Sequence, residues 1–312
     1  MYKKYAIVLF VLGFSLPSYH SFCQENLCVL WMDESVVLNE VNEFGELVRI
    51  SEREIWRNEK KWIEQTVNGY HFLYFFDYNR NTFHHFFSIP GDSIQILADS
   101  LGNWTIQSRF FPKEMDIMQK FQNEGLNLHS KYDGNEVSWK DSIYLAFQNA
   151  NMNREMRMSI LQNVKERISP TFFNILDEAI QLKWMDFLIS PFSNLEISLD
   201  QPPLKVESYY SARVQASFDA VQKLKSNEIT RYSFWLATIL PGIINFQLSF
   251  QASPQNKFDY IREHWQGEIK NIGLTRLMLE NLQNLDFIQQ NSESYFSICT
   301  NPKYTTRVAE KL

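Results

Sequence analysis

Six histidines are the first candidates for metal binding or proton transfer: His20, His71, His84, His85, His129 and His264. A helical zinc site needs two of them one turn apart with a Glu between, because that spacing puts both imidazoles on one face. No two of these histidines stand at that spacing. His84 and His85 are adjacent in a β-prone run, and strand neighbours point to opposite faces, so the two cannot share a ligand. One packed and one exposed imidazole, and no metal, is the expectation.

Carboxylates come next, since a pair of them could run glycoside hydrolysis. Asp177 and Glu178 are consecutive within a helical pattern and face different ways, which suits a solvated helix face better than an acid/base pair. Glu207 stands near Tyr209 and Tyr210, with nothing else in the chain converging on it. The run Tyr70, Phe72, Tyr74, Phe75 and Phe76 could stack a sugar or a peptide, but aromatics at strand period more often form core. There is no phosphate-binding G-x-x-x-x-G-K-[ST], no dinucleotide G-x-G-x-x-G and no nucleophile-elbow G-x-S-x-G. Only 10 glycines occur in 312 residues, few for a protein built around phosphate-cradling loops. The sequence therefore assigns no catalytic, cofactor-binding or metal-binding residue.

The cysteines are Cys23, Cys28 and Cys299. Thiol–disulfide exchange needs two of them in one site, one with a depressed pKa, typically as C-x-x-C. None is paired that way. Cys299 precedes Thr300, Asn301 and Pro302, which reads as a turn. Whether Cys28 and Cys299 meet is open at this level, as is their being two unpaired thiols.

The start of the chain carries an address. Lys3 and Lys4 precede an apolar run from Tyr5 to Leu16, Pro17 ends it, and polar and small residues lead to Cys23. That is the layout of a secretory signal, and the run is too short for a comfortable membrane span. Cleavage between Cys23 and Gln24 is expected, with export to the periplasm or cell envelope. A lipoprotein signal would instead modify Cys23, but Phe22 is bulky where such signals take a small residue. Losing residues 1–23 removes two lysines and no acid, taking the formal charge from −6 to −8. With no basic stripe, nucleic acid is excluded as a partner.

The elements fall into two parts. The expectation is α+β: a small antiparallel β-sandwich or barrel-like domain over residues 24–110, then an all-helical domain over 111–312. Asn42-Glu43-Phe44-Gly45 reads as a hairpin turn, and Trp62–Val67, Asn68-Gly69 and Tyr70–Tyr78 read as a second hairpin. Ser51–Lys61 suits a helix or an exposed edge. The stretch Phe83–Asp99 reads as two strands about a Pro90-Gly91-Asp92 turn, and a last strand follows Gly102-Asn103. Beyond Pro112 the period changes to 3.6. Ser138-x-x-Asp141 has the spacing of a capping box ahead of a helix to Asn149. Ser169-Pro170 and Ser253-Pro254 each place a cap before a first-turn proline.

The first of these two opens a helix with Phe172, Leu176, Ala179, Ile180, Trp184, Phe187 and Leu188 at core spacing, stopping at Ser190-Pro191. Leu274–Gln290 reads as one helix using Leu277, Leu282, Leu285 and Ile288. Residues 191–205 read as loop. Phe234–Phe246 is apolar but short, and reads as a buried helix kinked or split at Pro241 rather than as a span.

The phrase Ile89-Pro90-Gly91-Asp92-Ser93-Ile94-Gln95-Ile96, closing a β-rich segment behind a signal and followed by a long helical region, resembles the N-terminal half of the TlpA-like, AhpC/TSA-type thioredoxin-family envelope proteins of Bacteroidetes. Tyr295–Leu312 resembles the stretch that precedes their thioredoxin domain. The family's activity resides in a C-x-x-C that this sequence lacks, so no catalytic residue carries over. The resemblance implies the non-catalytic part, an interaction or docking protein in the envelope. The alternative is a truncated or split part of a thiol–disulfide oxidoreductase whose thioredoxin domain is encoded separately.

Overall fold

The computed structural model describes residues 27–33, 38–42, 44, 47–50, 54–57, 60–66, 69–77, 82–98, 104–123, 126, 139–193, 208–248 and 252–312. The expected signal segment and Cys23 lie outside them. The fold is α+β. Strands come first: β1 (Leu27–Asp33), β2 (Leu38–Val41), β3 (Leu47–Arg49), β4 (Glu54–Arg57), β5 (Lys60–Thr66), β6 (His71–Asp77), β7 (Thr82–Ser88), β8 (Ser93–Ala98) and β9 (Trp104–Ser108). Helices follow: α1 (Pro112–Asn123), α2 (Trp139–Val164), α3 (Pro170–Ser193), α4 (Ser208–Val221), α5 (Ser226–Leu248), α6 (Pro254–His264), α7 (Gly267–Glu280), α8 (Leu285–Ile298) and α9 (Pro302–Ala309). The change of period thus falls at Pro112.

The compact units do not follow that order. One comprises residues 1–36, 51–71 and 87–112; the other comprises 37–50, 72–86 and 113–312. Two segments of the expected 24–110 unit therefore belong with the helices.

In the first unit the strand order is β4-β5-β1-β8-β9. The ambiguous Ser51–Lys61 segment supplies an edge strand. The expected antiparallel sheet is corrected at its centre: β1 runs antiparallel to β5 but parallel to β8, with Leu30 opposite Ile94 and Met32 opposite Ile96. Those four side chains are fully buried, so strand alternation puts them on one inward face. At the Pro90-Gly91 turn, Asp92 N–H donates to Ile89 O at 3.0 Å, and Gly91 takes φ 77°, as a type II turn requires. The buried Asp92 carboxylate accepts from Ser93 N–H (2.7 Å), Phe110 N–H (3.2 Å) and Ser108 Oγ (2.6 Å). Ser108 Oγ accepts in turn from Phe111 N–H at 2.7 Å. Asp92 therefore staples the turn to the end of β9. Burial outweighs these bonds and holds its carboxyl above the usual range.

One turn acts differently from expectation: Asn68-Gly69 joins a strand of one sheet to a strand of the other, so it does not close the expected hairpin. Pro90-Gly91 joins two strands as expected, β7 and β8, and these also lie in different sheets. By contrast β2 and β3 pair antiparallel, Val41 opposite Leu47, and Phe44 N–H donates to Asn42 Oδ1 at 3.0 Å in the connecting turn. The expected last strand is β9, which pairs antiparallel with β8.

In the second unit the sheet order is β3-β2-β6-β7. Its core is organised on α5, where Tyr232, Trp235, Leu236, Ile239, Leu240 and Ile243 form a buried stripe at helical spacing. Phe72 of β6 meets that stripe edge-on, 4.9 Å from Trp235, and Tyr74 meets the neighbouring Phe234 of α5 at 6.0 Å. Tyr74, Phe72 and Phe75 are buried, so this part of the aromatic run is core. Tyr232 Oη donates to Glu178 of α3.

The caps form where expected: Phe172 N–H donates to Ser169 Oγ at 3.2 Å, and Asn256 N–H to Ser253 Oγ at 3.1 Å. Ser138 lies outside the described residues. α2 starts at Trp139 but continues well past Asn149. All seven expected core positions of α3 are buried, and the helix runs through Pro191 to Ser193. Pro191 falls in the last turn, so the helical hydrogen bond that its missing N–H forfeits lies at the end of the helix.

The expected Leu274–Gln290 helix is two helices. Asn281 Nδ2 donates to Leu277 O at 2.8 Å and closes α7, and Asn284 Oδ1 accepts from Phe287 N–H at 3.2 Å and opens α8. Leu277 and Ile288 are buried, whereas Leu285 at the break is 68% exposed. α5 continues through Pro241. No helix among the described residues is long and apolar enough to cross a membrane.

Candidate functional site

α5, α6 and α7 enclose a cavity of about 390 Å³, within the size range of small-ligand sites. Its apolar wall is Leu240, Pro241, Ile244 and Leu277; its polar wall is Asn245, Lys257, Arg276, Glu280 and Asn281. Pro241 explains part of the arrangement. Having no N–H, it leaves the carbonyl of Ala237, four residues earlier, without its helical donor. Arg276 supplies one: its Nη1 donates to Ala237 O at 2.6 Å, while its Nε pairs with Glu280 Oε1 at 2.8 Å. The guanidinium thus ties α7 to α5 and spends its charge on Glu280.

Lys257 sits in the first turn of α6, at the positive end of that helix, which has no acidic residue in its first turn. Burial lowers its ammonium pKa, with Glu280 acting in the opposite sense. Gly273 of α7, which also lines the cavity, packs against a ring: a Cβ there would come within 2.6 Å of Trp265, which is fully buried and packs 5.0 Å from Phe218.

A second buried polar group joins α2 and α3. Arg157 Nε donates to Leu126 O at 2.7 Å, and Lys183 Nζ pairs with Asp186 Oδ2 at 2.8 Å. The Lys183 ammonium lies 4.4 Å from the Phe187 ring centre and the Arg157 guanidinium 5.9 Å from it. Burial pulls Arg157 down to about 10 and lowers Lys183, against the pull of Asp186.

Cys299, at the end of α8, is a free and buried thiol. Burial pushes its pKa up, with the hydroxyls of Tyr295 and Thr275 bonded to it. Those two hydroxyls are 2.9 Å apart, and Thr275 Oγ1 donates to Asn271 O at 2.6 Å. Cys28 lies in β1 opposite Gln65.

The other sequence candidates scatter. His84 is buried and stacked 4.9 Å from Phe75. His71 is half-buried in β6, and His264 is exposed at the end of α6, 4.3 Å from the Tyr260 ring. His20, His129 and Glu207 lie outside the described residues, and no metal-sized cluster of His, Cys, Asp and Glu occurs among those described. Asp177 and Glu178 are both half-buried, and Glu178 is committed to Tyr232. Lys257, Arg276 and Glu280 were not singled out from the sequence. The one available signal was a lysine in the first turn after Ser253-Pro254, where helices favour acids. No family model, curated protein or solved structure matches the chain.

Proposed function

We propose that this chain is a non-catalytic module of the bacterial envelope, exported by its N-terminal signal, which docks on a protein or peptide partner. In this reading it corresponds to the part of the TlpA-like proteins that precedes their thioredoxin domain. The first sheet would be one layer of the β-sandwich or barrel suggested by the spacing of the strands. The alternative keeps the docking role and places the thioredoxin domain on a separate chain.

The observation that carries the non-catalytic reading is the state of Cys299. A thiol that attacks disulfides must be exposed and readily ionised. Cys299 is buried and held in its neutral form. In a Cys28→Ser background, Cys299 is expected to react with Ellman's reagent only on unfolding in urea. Full reaction within seconds in native buffer would contradict it. The address is tested by intact-mass analysis of protein from the native envelope. A species beginning at Gln24 is expected; a cytosolic species still carrying Met1 would remove the export argument.

A further inference from the structure

We infer that one turn of α2, carrying Met152, Glu155 and Met156, is a binding site for a soft monovalent metal ion, Cu(I), or Ag(I) in its place. This goes beyond the docking role and holds whether or not a protein partner exists.

α2 has two faces. The inner one is spent on its neighbours. Asn151 Oδ1 accepts from Trp184 Nε1 at 2.9 Å, Arg154 Nε donates to Gln181 Oε1 at 2.9 Å, and Arg157 Nε donates to Leu126 O at 2.7 Å. The outer face is different. Met152 is 53% exposed and Met156 is 43% exposed, and Glu155 beside them is exposed as well. Met32, Met115, Met118, Met185 and Met278 are all buried, as apolar side chains of this kind usually are. Packing accounts for those methionines and leaves the exposed pair on α2 unexplained.

Spacing makes that pair a chelate. Residues i, i+3 and i+4 of a helix share one face, with Cβ atoms about 5–6 Å apart. Two unbranched, flexible thioether arms at that separation can close on one ion. Thioether sulfur is a soft, uncharged donor that suits Cu(I). Mg(II) takes oxygen ligands, and Zn(II) takes thiolate, imidazole or carboxylate.

The charge also suits a cation. Glu155 puts a carboxylate beside the two sulfurs, where it offsets the charge of a bound ion. The exposed residues flanking the turn, Gln148 and Ser159, are neutral. Both nearby arginines turn inward, Arg154 over the Trp184 ring at 5.3 Å and Arg157 over the Phe187 ring at 5.9 Å.

The test is titration with silver nitrate in chloride-free buffer, followed by the methionine methyl resonances in proton–carbon NMR spectra. The mature chain carries Cys28→Ser and Cys299→Ser, so that no thiol competes. Ag(I) is expected to shift the Met152 and Met156 methyls together and to leave those of the buried Met115 and Met278 in place. Cu(I), supplied without oxygen as its acetonitrile complex, is expected to shift the same two. Mg(II) and Zn(II) are expected to shift neither. Met152→Leu and Met156→Leu keep an apolar side chain and remove the sulfur. Each is expected to weaken Ag(I) by about tenfold or more, and Glu155→Gln by about threefold. Met152 and Met156 methyls that stay in place, an affinity unchanged in either leucine variant, or an equal response to Zn(II) would each overturn the assignment. None of these results bears on Cys299 reactivity or on docking.

Discussion

Asp186→Ala is expected to destabilise the protein by about 3–5 kcal/mol, the cost of removing one side of a buried ion pair. Lys183 is 1% exposed and its ammonium is 2.8 Å from the Asp186 carboxylate. Removing that carboxylate leaves Lys183 with Arg157 nearby, a like charge that already lowers its pKa. The sign of the pH effect follows. A lysine whose folded pKa lies below its unfolded one is protonated in the unfolded chain over the interval between them. Stability therefore rises with pH across that window. The deficit of Asp186→Ala, measured by urea unfolding, is accordingly expected to shrink as the pH is raised from neutrality toward the ordinary lysine value. The double variant Lys183→Met, Asp186→Leu is expected to be close to neutral, because a well-packed apolar pair avoids both desolvation costs. A single variant costing under about 1 kcal/mol, or a double as damaging as the single, would contradict the account.

The second large effect belongs to Trp265. Its indole is fully buried among Gly273, Ile261 and Phe218. Trp265→Ala is expected to cost about 3–5 kcal/mol through the cavity it leaves. Gly273 shows the converse. An added Cβ would stand 2.6 Å from Trp265 Cζ3 and 2.8 Å from Cε3, atoms of a rigid ring with no room to swing. Gly273→Ala should therefore cost about 1–3 kcal/mol by overpacking. Without the clash, Ala would add about 0.5–1 kcal/mol of helix stability. In a Trp265→Phe background the outer ring is gone, and Gly273→Ala is expected to become neutral or stabilising. Additivity of the two changes in denaturant unfolding would show that the contact does not govern the position.

Local features were legible in the sequence because they depend on neighbours. Ser169 and Ser253 cap α3 and α6, Gly91 takes the positive φ its turn needs, and the core stripe of α3 is buried position by position. What the sequence hid was pairing at a distance. Asn68-Gly69 marks a change of direction, and Gly69 does take φ 92°, but a turn does not choose the sheet that its second strand joins. The parallel β1–β8 pair joins segments some sixty residues apart, a separation no hairpin signal reports. The break between α7 and α8 rests on the Asn281 and Asn284 side chains, which apolar periodicity passes over. The cavity was hidden for a related reason. Arg276 and Glu280 have the spacing of an ordinary surface ion pair. Only the carbonyl freed by Pro241, on another helix, draws Arg276 inward.

The central claim, that the chain is a module without thiol–disulfide activity, is tested most directly by insulin reduction in the presence of dithiothreitol. Wild-type mature protein and the Cys28→Ser, Cys299→Ser variant are expected to give the same rate, equal to the dithiothreitol background. A wild-type rate well above that background, and abolished in the double variant, would contradict the account and make the chain an oxidoreductase.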